Sequence, residues 1–152
     1  LTVTTAESCT GGLLAGRLVN VPGASEVFRE GFVTYSNKSK RKLLDVSKST
    51  LKKYGAVSEQ TAKEMAAGGA FAADADLCVA ITGIAGPDGG TEEKPVGLVY
   101  IACFAKDKVT VKEFRFKGSR AKIREQSVVC GLDLLRRSIL CNYRKEKGKD
   151  KD

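Results

Sequence analysis

A short segment near the start of the chain, residues 6–12 (AESCTGG), constrains the fold most because it joins a strand pattern directly to a helix pattern. Residues 1–6 are typical of a buried strand, and residues 10–20 are typical of a helix that Thr10 opens. Ser8 is therefore predicted to lie on a turn, exposed beside the amides of a helix N-terminus. Such amides stabilise an oxyanion, so Ser8 is a candidate nucleophile. The alternative is an ordinary helix-capping serine.

The chain of 152 residues contains no histidine, which restricts how such a serine is activated. A base for Ser8 must then be a lysine, a tyrosine or a carboxylate. A lysine accepts a proton near neutral pH only if desolvation or nearby positive charge lowers its pKa. Lys40 lies in a cationic run, residues 38–42, whose like charges act in that direction, and the hydroxyl of Tyr35 could hold this lysine or relay a proton. The alternative is one more solvated lysine on a basic helix.

The remaining patterns alternate between strand and helix and then close with a hairpin and a long helix. They predict an α/β fold, a three-layer α/β/α sandwich with a mixed, partly parallel sheet. Gly68-Gly69 lies inside a predicted helix, where a close packing partner would explain it. The predicted elements are a strand over residues 27–35, a short helix through Leu44, a turn capped by Ser47 or Ser49, a helix from Ser58 to about Ala73, a central strand over 77–82, a hairpin over 97–116 turned at Lys106-Asp107, and a last helix opened by Ser119.

Polar residues follow three of the predicted strands at their carboxyl ends, where ligands bind in folds of this kind. They are Ser8, the segment Tyr35-Ser36-Asn37 and the pair Thr82-Gly83. Thr82 also opens a loop, residues 82–97, with five glycines that make backbone amides available to a phosphate or an amide oxygen. This loop contains neither GxxxxGK[ST] nor GxGxxG, so it indicates a ligand loop of another kind.

Arg120 and Arg124 lie one turn apart at the start of the last helix, where guanidinium groups suit a phosphate monoester. The alternative is a solvated basic first turn. The net charge of +8 is uneven: residues 38–53 carry seven cations and one anion, whereas residues 54–100 carry two cations and seven anions. A phosphorylated small molecule fits this pattern better than nucleic acid does, although solvated faces would explain it too.

The five cysteines are odd in number and have neither CxxC nor CxxH spacing. They predict reduced thiols in a cytoplasmic protein, with no metal site. Cys9 is the only one near the candidate site, and it lacks a histidine partner. No apolar run is long enough to span a membrane, and the amino end shows no signal pattern.

Together these segments closely resemble the CinA C-terminal domain family, also described as PncC-type nicotinamide mononucleotide deamidases. The matching blocks are residues 6–12, residues 34–37 with Lys40, residues 55–58 and residues 82–97, within a resemblance that covers about residues 1–140. The resemblance implies hydrolysis of the carboxamide of nicotinamide mononucleotide to nicotinate mononucleotide and ammonia. It also implies that Ser8 is the nucleophile, Lys40 the general base and Tyr35 its partner.

We assign residues 1–142 to this domain, and the charged, low-complexity composition of residues 143–152 predicts a frayed tail. Thr82 is expected to contact substrate, Arg120 or Arg124 to hold it, and the amides near Cys9 and Thr10 to stabilise the oxyanion. We expect a mononucleotide substrate, no cofactor and a homodimer. The family usually has an additional first helix, and here a neighbouring chain or preceding residues would cover the corresponding face. The alternatives are a catalytically silent nucleotide- or partner-binding domain and a nucleic-acid-interacting protein. The full set of substrate-binding candidates is Cys9, Thr10, Gly11, Asn37, Thr82, Gly83, Gly86, Arg120 and Arg124.

Overall fold

A computed structural model describes residues 1–144 and shows one mixed sheet with helices packed on both of its faces. This arrangement confirms the predicted α/β/α sandwich. The strands are β1 (Val3–Glu7), β2 (Phe32–Val33), β3 (Leu77–Gly83), β4 (Leu98–Ala105) and β5 (Lys108–Arg115). The helices are α1 (Leu13–Val19), α2 (Asn37–Leu44), α3 (Lys48–Tyr54), α4 (Glu59–Ala72) and α5 (Arg120–Tyr143).

The sheet has the order β2-β1-β3-β4-β5, and its two halves differ in direction. Strand β1 runs parallel to both β2 and β3, so the carboxyl ends of these three strands lie at the same edge. Strands β3, β4 and β5 are antiparallel, and β4 and β5 form the predicted hairpin. Its two turn residues, Lys106 and Asp107, both have positive φ, as a tight hairpin turn requires.

Two apolar cores lie on opposite faces of the sheet. On one face α5 packs over β3 and β4, and α1 packs beside it over β1; Leu14, Ile81 and Ile123 are all buried in this core. On the other face α4 packs over the sheet with Met65 and Ala66. Because β3 contributes to both cores, its side chains are buried along almost its whole length, as the apolar run predicted.

The glycine pair in α4 sets how closely α2 approaches. A Cβ atom on Gly68 would overlap the carbonyl oxygen of Leu44, and one on Gly69 would lie 2.7 Å from the Cys78 sulfur. The expected packing partner is thus the end of α2 together with the central strand. This contact holds α2, the helix that carries Lys40, against the sheet.

Two sequence predictions were wrong in their bounds. Helix α1 begins at Leu13 and not at Thr10, because Gly11 and Gly12 have positive φ and extend the turn. The strand predicted over residues 27–35 is reduced to Phe32–Val33. Between Phe28, which makes an isolated bridge to Val3, and Phe32 the chain leaves the ladder, and the carbonyl of Glu30 accepts a hydrogen bond from Thr4 Oγ1 instead.

At the other end of the chain, α5 begins after the predicted cap Ser119, whose hydroxyl accepts from the Lys122 amide. The helix continues through Tyr143, one residue beyond the predicted domain end. From residue 145 onward, the predicted frayed tail lies outside the described residues. Within residues 1–144, no helix is both long and apolar enough to cross a membrane.

Candidate active site

The carboxyl edge of the parallel strands holds a cavity of about 230 Å³ at the place that the three polar strand ends predicted. Ser8 follows β1, Tyr35 follows β2, and Thr82 and Gly83 end β3. Helix α5 closes the cavity from the side with Arg120. The residues lining it are Ser8, Cys9, Tyr35, Lys40, Ala56, Val57, Thr82, Gly83, Ala85 and Arg120.

Lys40 is the most unusual side chain of the site because it is a lysine that is only 1% exposed. Its ammonium group lies 3.0 Å from Ser8 Oγ, within the hydrogen-bond reach expected of a nucleophile and its base. It also donates to the carbonyl oxygen of Thr34 at 2.8 Å and to that of Tyr35 at 3.4 Å. All three partners are uncharged.

Burial lowers the pKa of Lys40 from the ordinary value of 10.5 to about 8. The physical cause is desolvation, since moving a cation out of water disfavours its charged form. The sequence also predicts a contribution from the neighbouring cations Lys38, Arg41 and Lys42. These three side chains face solvent, where water screens their charges, and they do not contribute to the shift.

The local sequence explains why Lys40 points inward. Ser36 caps α2 by accepting a hydrogen bond from the Ser39 amide, and the Ser39 hydroxyl faces back to the Ser36 amide. This reciprocal cap fixes the start of the helix directly after β2. Lys40 and Leu44, one turn apart, then face the sheet, while the residues between them face solvent.

The turn that carries Ser8 is held on both sides. The Ser8 amide donates to the Ile81 carbonyl at 2.9 Å, which continues the pairing of β1 with β3. The Gly11 amide donates to the Ser8 carbonyl at 3.0 Å, so Gly11 is not available as an oxyanion donor. No oxygen among residues 1–144 accepts from the amides of Cys9 and Thr10. Cys9 lines the cavity, so its amide fits the predicted oxyanion role, whereas Thr10 is completely buried and lies outside the cavity lining.

The thiol of Cys9 is not suited to be the nucleophile. It is buried, and burial raises its pKa to about 11. A thiol with so high a pKa carries little thiolate at neutral pH. Cys9 remains a lining residue, and its carbonyl oxygen accepts from Arg124 Nε at 2.9 Å.

Arg120 faces the cavity and connects the glycine-rich loop to Tyr35. Its Nη1 donates to the Gly86 carbonyl at 2.7 Å, and its Nη2 donates to the Tyr35 hydroxyl at 3.0 Å. The sequence hypothesis that the Tyr35 hydroxyl holds Lys40 is therefore wrong. The Tyr35 side chain is 63% exposed and reaches across the cavity mouth, and only its backbone carbonyl contacts the lysine.

Arg124, one turn further along α5, lies outside the cavity lining. Besides the Cys9 carbonyl, it contacts the Thr10 carbonyl, with Nη2 at 3.2 Å. The two arginines thus occupy different places, although their spacing in the sequence does not distinguish their roles. Arg120 borders the space for a ligand, whereas Arg124 supports the turn that carries Ser8.

The other predicted site residues also form two groups, those that line the cavity and those that do not. Thr82 and Gly83 line the cavity, and the Thr82 hydroxyl donates to the Ala56 carbonyl at 2.8 Å. Gly86 contributes through its bond to Arg120. Thr10, Gly11 and Asn37 do not line the cavity, and the Thr10 hydroxyl is bound to the Glu7 carboxylate at 2.6 Å.

Sequence reasoning missed four contributors to the site. Thr34 acts through its carbonyl, which carries no side-chain signal, while Ala56, Val57 and Ala85 contribute apolar lining. The block of residues 55–58 within the resemblance could have pointed to two of them. Among residues 1–144, no three or more cysteine, aspartate or glutamate side chains cluster as metal ligands.

Comparison with known proteins defines the family to which this fold and site belong. A sequence model of the CinA C-terminal domain matches residues 1–139. The chain belongs to the CinA C-terminal domain family.

A putative competence-damage inducible protein of Clostridium beijerinckii is 56% identical over 140 residues, which cover 92% of this chain and 34% of the relative. A CinA-like protein of Kosmotoga olearia is 55% identical over 140 residues, with the same coverage of both chains. The chain thus spans about a third of the length of the curated relatives it matches.

Solved structures show the same fold. The competence/damage inducible protein CihA from Agrobacterium tumefaciens superposes with a TM-score of 0.88 at 49% identity, covering 90% of this chain and 84% of that one. A CinA superfamily protein from Escherichia coli gives a TM-score of 0.87 at 40% identity, covering 90% and 79%. These names refer to competence and damage and name no reaction.

Proposed function

We propose that this protein is a serine amidase that hydrolyses the carboxamide of nicotinamide mononucleotide, giving nicotinate mononucleotide and ammonia. The observation that carries the proposal is the 3.0 Å contact between Ser8 Oγ and the buried Lys40 Nζ. A serine paired with a desolvated lysine is an arrangement for nucleophilic catalysis without histidine.

The hydrogen bonds around Lys40 suit a neutral amine. An ammonium group has three N–H donors, and the structure offers three acceptors. After losing a proton the amine keeps two N–H groups, which the carbonyls of Thr34 and Tyr35 can accept. Its lone pair is then left for the Ser8 hydroxyl, so the amine is already oriented to take the serine proton.

In the first half of the reaction, Ser8 Oγ attacks the carboxamide carbon while its proton passes to Lys40. The oxygen of the resulting tetrahedral intermediate accepts a hydrogen bond from the amide of Cys9, a residue that lines the cavity. When the C–N bond breaks, Lys40 returns the proton to the leaving nitrogen and ammonia departs. In the second half, water attacks the acyl-serine, Lys40 accepts the proton of the water, and the acid product leaves as Ser8 is regenerated.

The cavity fits the proposed substrate in two respects. Ala56, Val57 and Ala85 give one part an apolar lining that suits a flat pyridine ring. Arg120 supplies a cation at the border, where a phosphate at the other end of a mononucleotide would bind. No carboxylate is among the lining residues within 1–144, so the site favours an anionic substrate.

Release of ammonia from nicotinamide mononucleotide, followed with the wild-type chain and Ser8→Ala, tests the proposal. We expect turnover by the wild type and a loss of at least about 10³-fold in Ser8→Ala, because the acyl-serine cannot form. Ser49→Ala changes an exposed serine on α3 and serves as the matched control, with activity unchanged. Equal activity of Ser8→Ala and the wild type would contradict the mechanism.

The same assay separates the remaining hypotheses. A chain that binds the mononucleotide without releasing ammonia would be the silent binding domain, and salt-dependent DNA binding without deamidation would indicate a nucleic-acid partner. We also propose a cytoplasmic location, which suits five free cysteines. The homodimer stays a prediction, and light scattering of the purified chain tests it.

A further inference from the structure

Thr82 and Ser8 occupy neighbouring positions on two parallel strands, and their side chains point to the same face of the sheet. The register pairs Ala6 with Ala80. Further along, the Ser8 amide donates to the Ile81 carbonyl, which continues this ladder. Ser8 therefore lies opposite Thr82, on the same face as Ala6. Because both residues line the cavity, Thr82 borders the space in which an acyl group would meet Ser8.

The Thr82 hydroxyl is committed as a donor and free as an acceptor. It lies 2.8 Å from the Ala56 carbonyl oxygen, which can only accept, so the hydroxyl proton points at Ala56. Within residues 1–144, no group donates a hydrogen bond to Thr82 Oγ1. Like Lys40, Thr82 is only 1% exposed and yet belongs to the cavity lining. The lone pairs of this oxygen are thus left for a ligand in the cavity.

This polarity matches one end of a primary carboxamide. Such a group carries an acceptor oxygen and a donor NH2 on the same carbon. The cavity offers the opposite pair around Ser8: the Cys9 amide from the turn that follows it, and the Thr82 hydroxyl from the strand beside it. With the carboxamide oxygen at the Cys9 amide, the NH2 group lies on the Thr82 side. The acid product carries only acceptor oxygens, so this contact is lost on hydrolysis.

We propose that Thr82 is a specificity-determining residue whose hydroxyl accepts an N–H of the carboxamide and so selects a primary amide over acyl groups that lack an N–H. Turning the hydroxyl to donate to a ligand would leave the Ala56 carbonyl without its partner, so a ketone or an ester gains nothing in exchange. The inference rests on the proposed function, because it names the part of the nicotinamide group that the cavity recognises.

Binding to the Ser8→Ala chain tests this role in the absence of turnover. The probes are nicotinamide mononucleotide and its acetylpyridine counterpart, in which a methyl group replaces the NH2 group. Calorimetry gives both dissociation constants. We expect Ser8→Ala to bind nicotinamide mononucleotide about 10-fold or more tightly than the acetyl analogue, because only the carboxamide offers an N–H.

Variants at Thr82 in the same background assign this preference to the hydroxyl. Adding Thr82→Val, which has nearly the same shape without the hydroxyl, should reduce the preference to less than about 3-fold. Adding Thr82→Ser keeps the hydroxyl and should keep the preference. Thr110→Val changes an exposed threonine of β5 and is the matched control, with the preference unchanged.

Equal affinity of the Ser8→Ala chain for the two ligands would overturn the inference, and this outcome requires no change at Thr82. An unchanged preference after Thr82→Val would also overturn it. In both cases, release of ammonia by the wild-type chain would leave the amidase intact. A wild-type chain that releases no ammonia, with a Ser8→Ala chain that binds neither ligand, would overturn the proposed function and this inference with it.

Discussion

The basic side chains of helix α2 lie in two different environments within one turn. Lys40 faces the sheet and is 1% exposed, whereas Lys38, Arg41 and Lys42 face water. The exposed cations border a polar cleft on the surface, and Lys40 borders the cavity that holds Ser8. The residue types are nearly the same, so orientation alone makes one of them a candidate base.

The comparison shows which physical effect prepares the base. Desolvation lowers the pKa of Lys40, and no carboxylate among the described residues bonds to Nζ to oppose it. A buried ion pair would have stabilised the ammonium form and prevented it from accepting a proton. The protein instead surrounds this amine with a hydroxyl and two carbonyls, which can serve both protonation states.

The largest expected effect is the loss of activity when the buried Lys40, rather than an exposed lysine of α2, is replaced. Lys40→Met should lower kcat/KM for ammonia release by about 10³-fold, since general-base catalysis typically contributes 10²- to 10⁴-fold. Lys42→Met removes a cation from the exposed face of the same helix and should leave kcat/KM within about 2-fold. Similar losses in both variants would mean that the charge of α2, and not the buried amine, matters for activity.

A smaller effect concerns the stability of the fold. The folded-state pKa of Lys40, about 8, is below the unfolded value of 10.5, so the unfolded chain binds more protons between these values. Burial of the charged form is therefore unfavourable below pH 8, and wild-type stability recovers as pH rises toward 10.5. Relative to Lys40→Met, the wild-type free energy of unfolding should rise by about 2–3 kcal/mol between pH 7 and pH 10.

Urea denaturation of both variants across this pH range measures that difference. Lys42→Met should track the wild type at every pH, because its side chain stays in water in both states. A constant gap between wild type and Lys40→Met would show that the lysine is not desolvated in the folded protein.

The sequence was sufficient where local chemistry decides the structure. The cap at Ser58, the hairpin turn at Lys106-Asp107 and the fully buried strand β3 all carry local signals, and the structure confirms each one. The convergence of three strand ends followed from the parallel half of the sheet. The pairing of Ser8 with Lys40 was expected because no histidine was available and because the family resemblance supplied the position.

The errors arose where a residue's role depends on distant contacts. Thr10 has the chemistry of a helix cap, but the Glu7 carboxylate takes its hydroxyl and caps α1 instead, through the amides of Leu14 and Ala15. The roles of the Thr34 and Tyr35 carbonyls could not be predicted, because every residue has a carbonyl.

The two arginines show the same limit. Arg120 and Arg124 share one helix face, so spacing assigns both of them to the same neighbourhood. Only the packing of α5 over the Ser8 turn separates a ligand contact from a contact with the turn itself.

The central claim is that Lys40 is an amine poised near neutral pH because it is buried beside Ser8. The most direct measurement is an NMR titration of the chain labelled with 13C at the lysine ε carbon. The Lys40 signal is assigned as the one that is missing from the spectrum of Lys40→Met. We expect this signal to titrate with a midpoint at about 8, and kcat/KM to rise with pH to a plateau with the same midpoint. A midpoint near the ordinary lysine value of 10.5 would contradict the account.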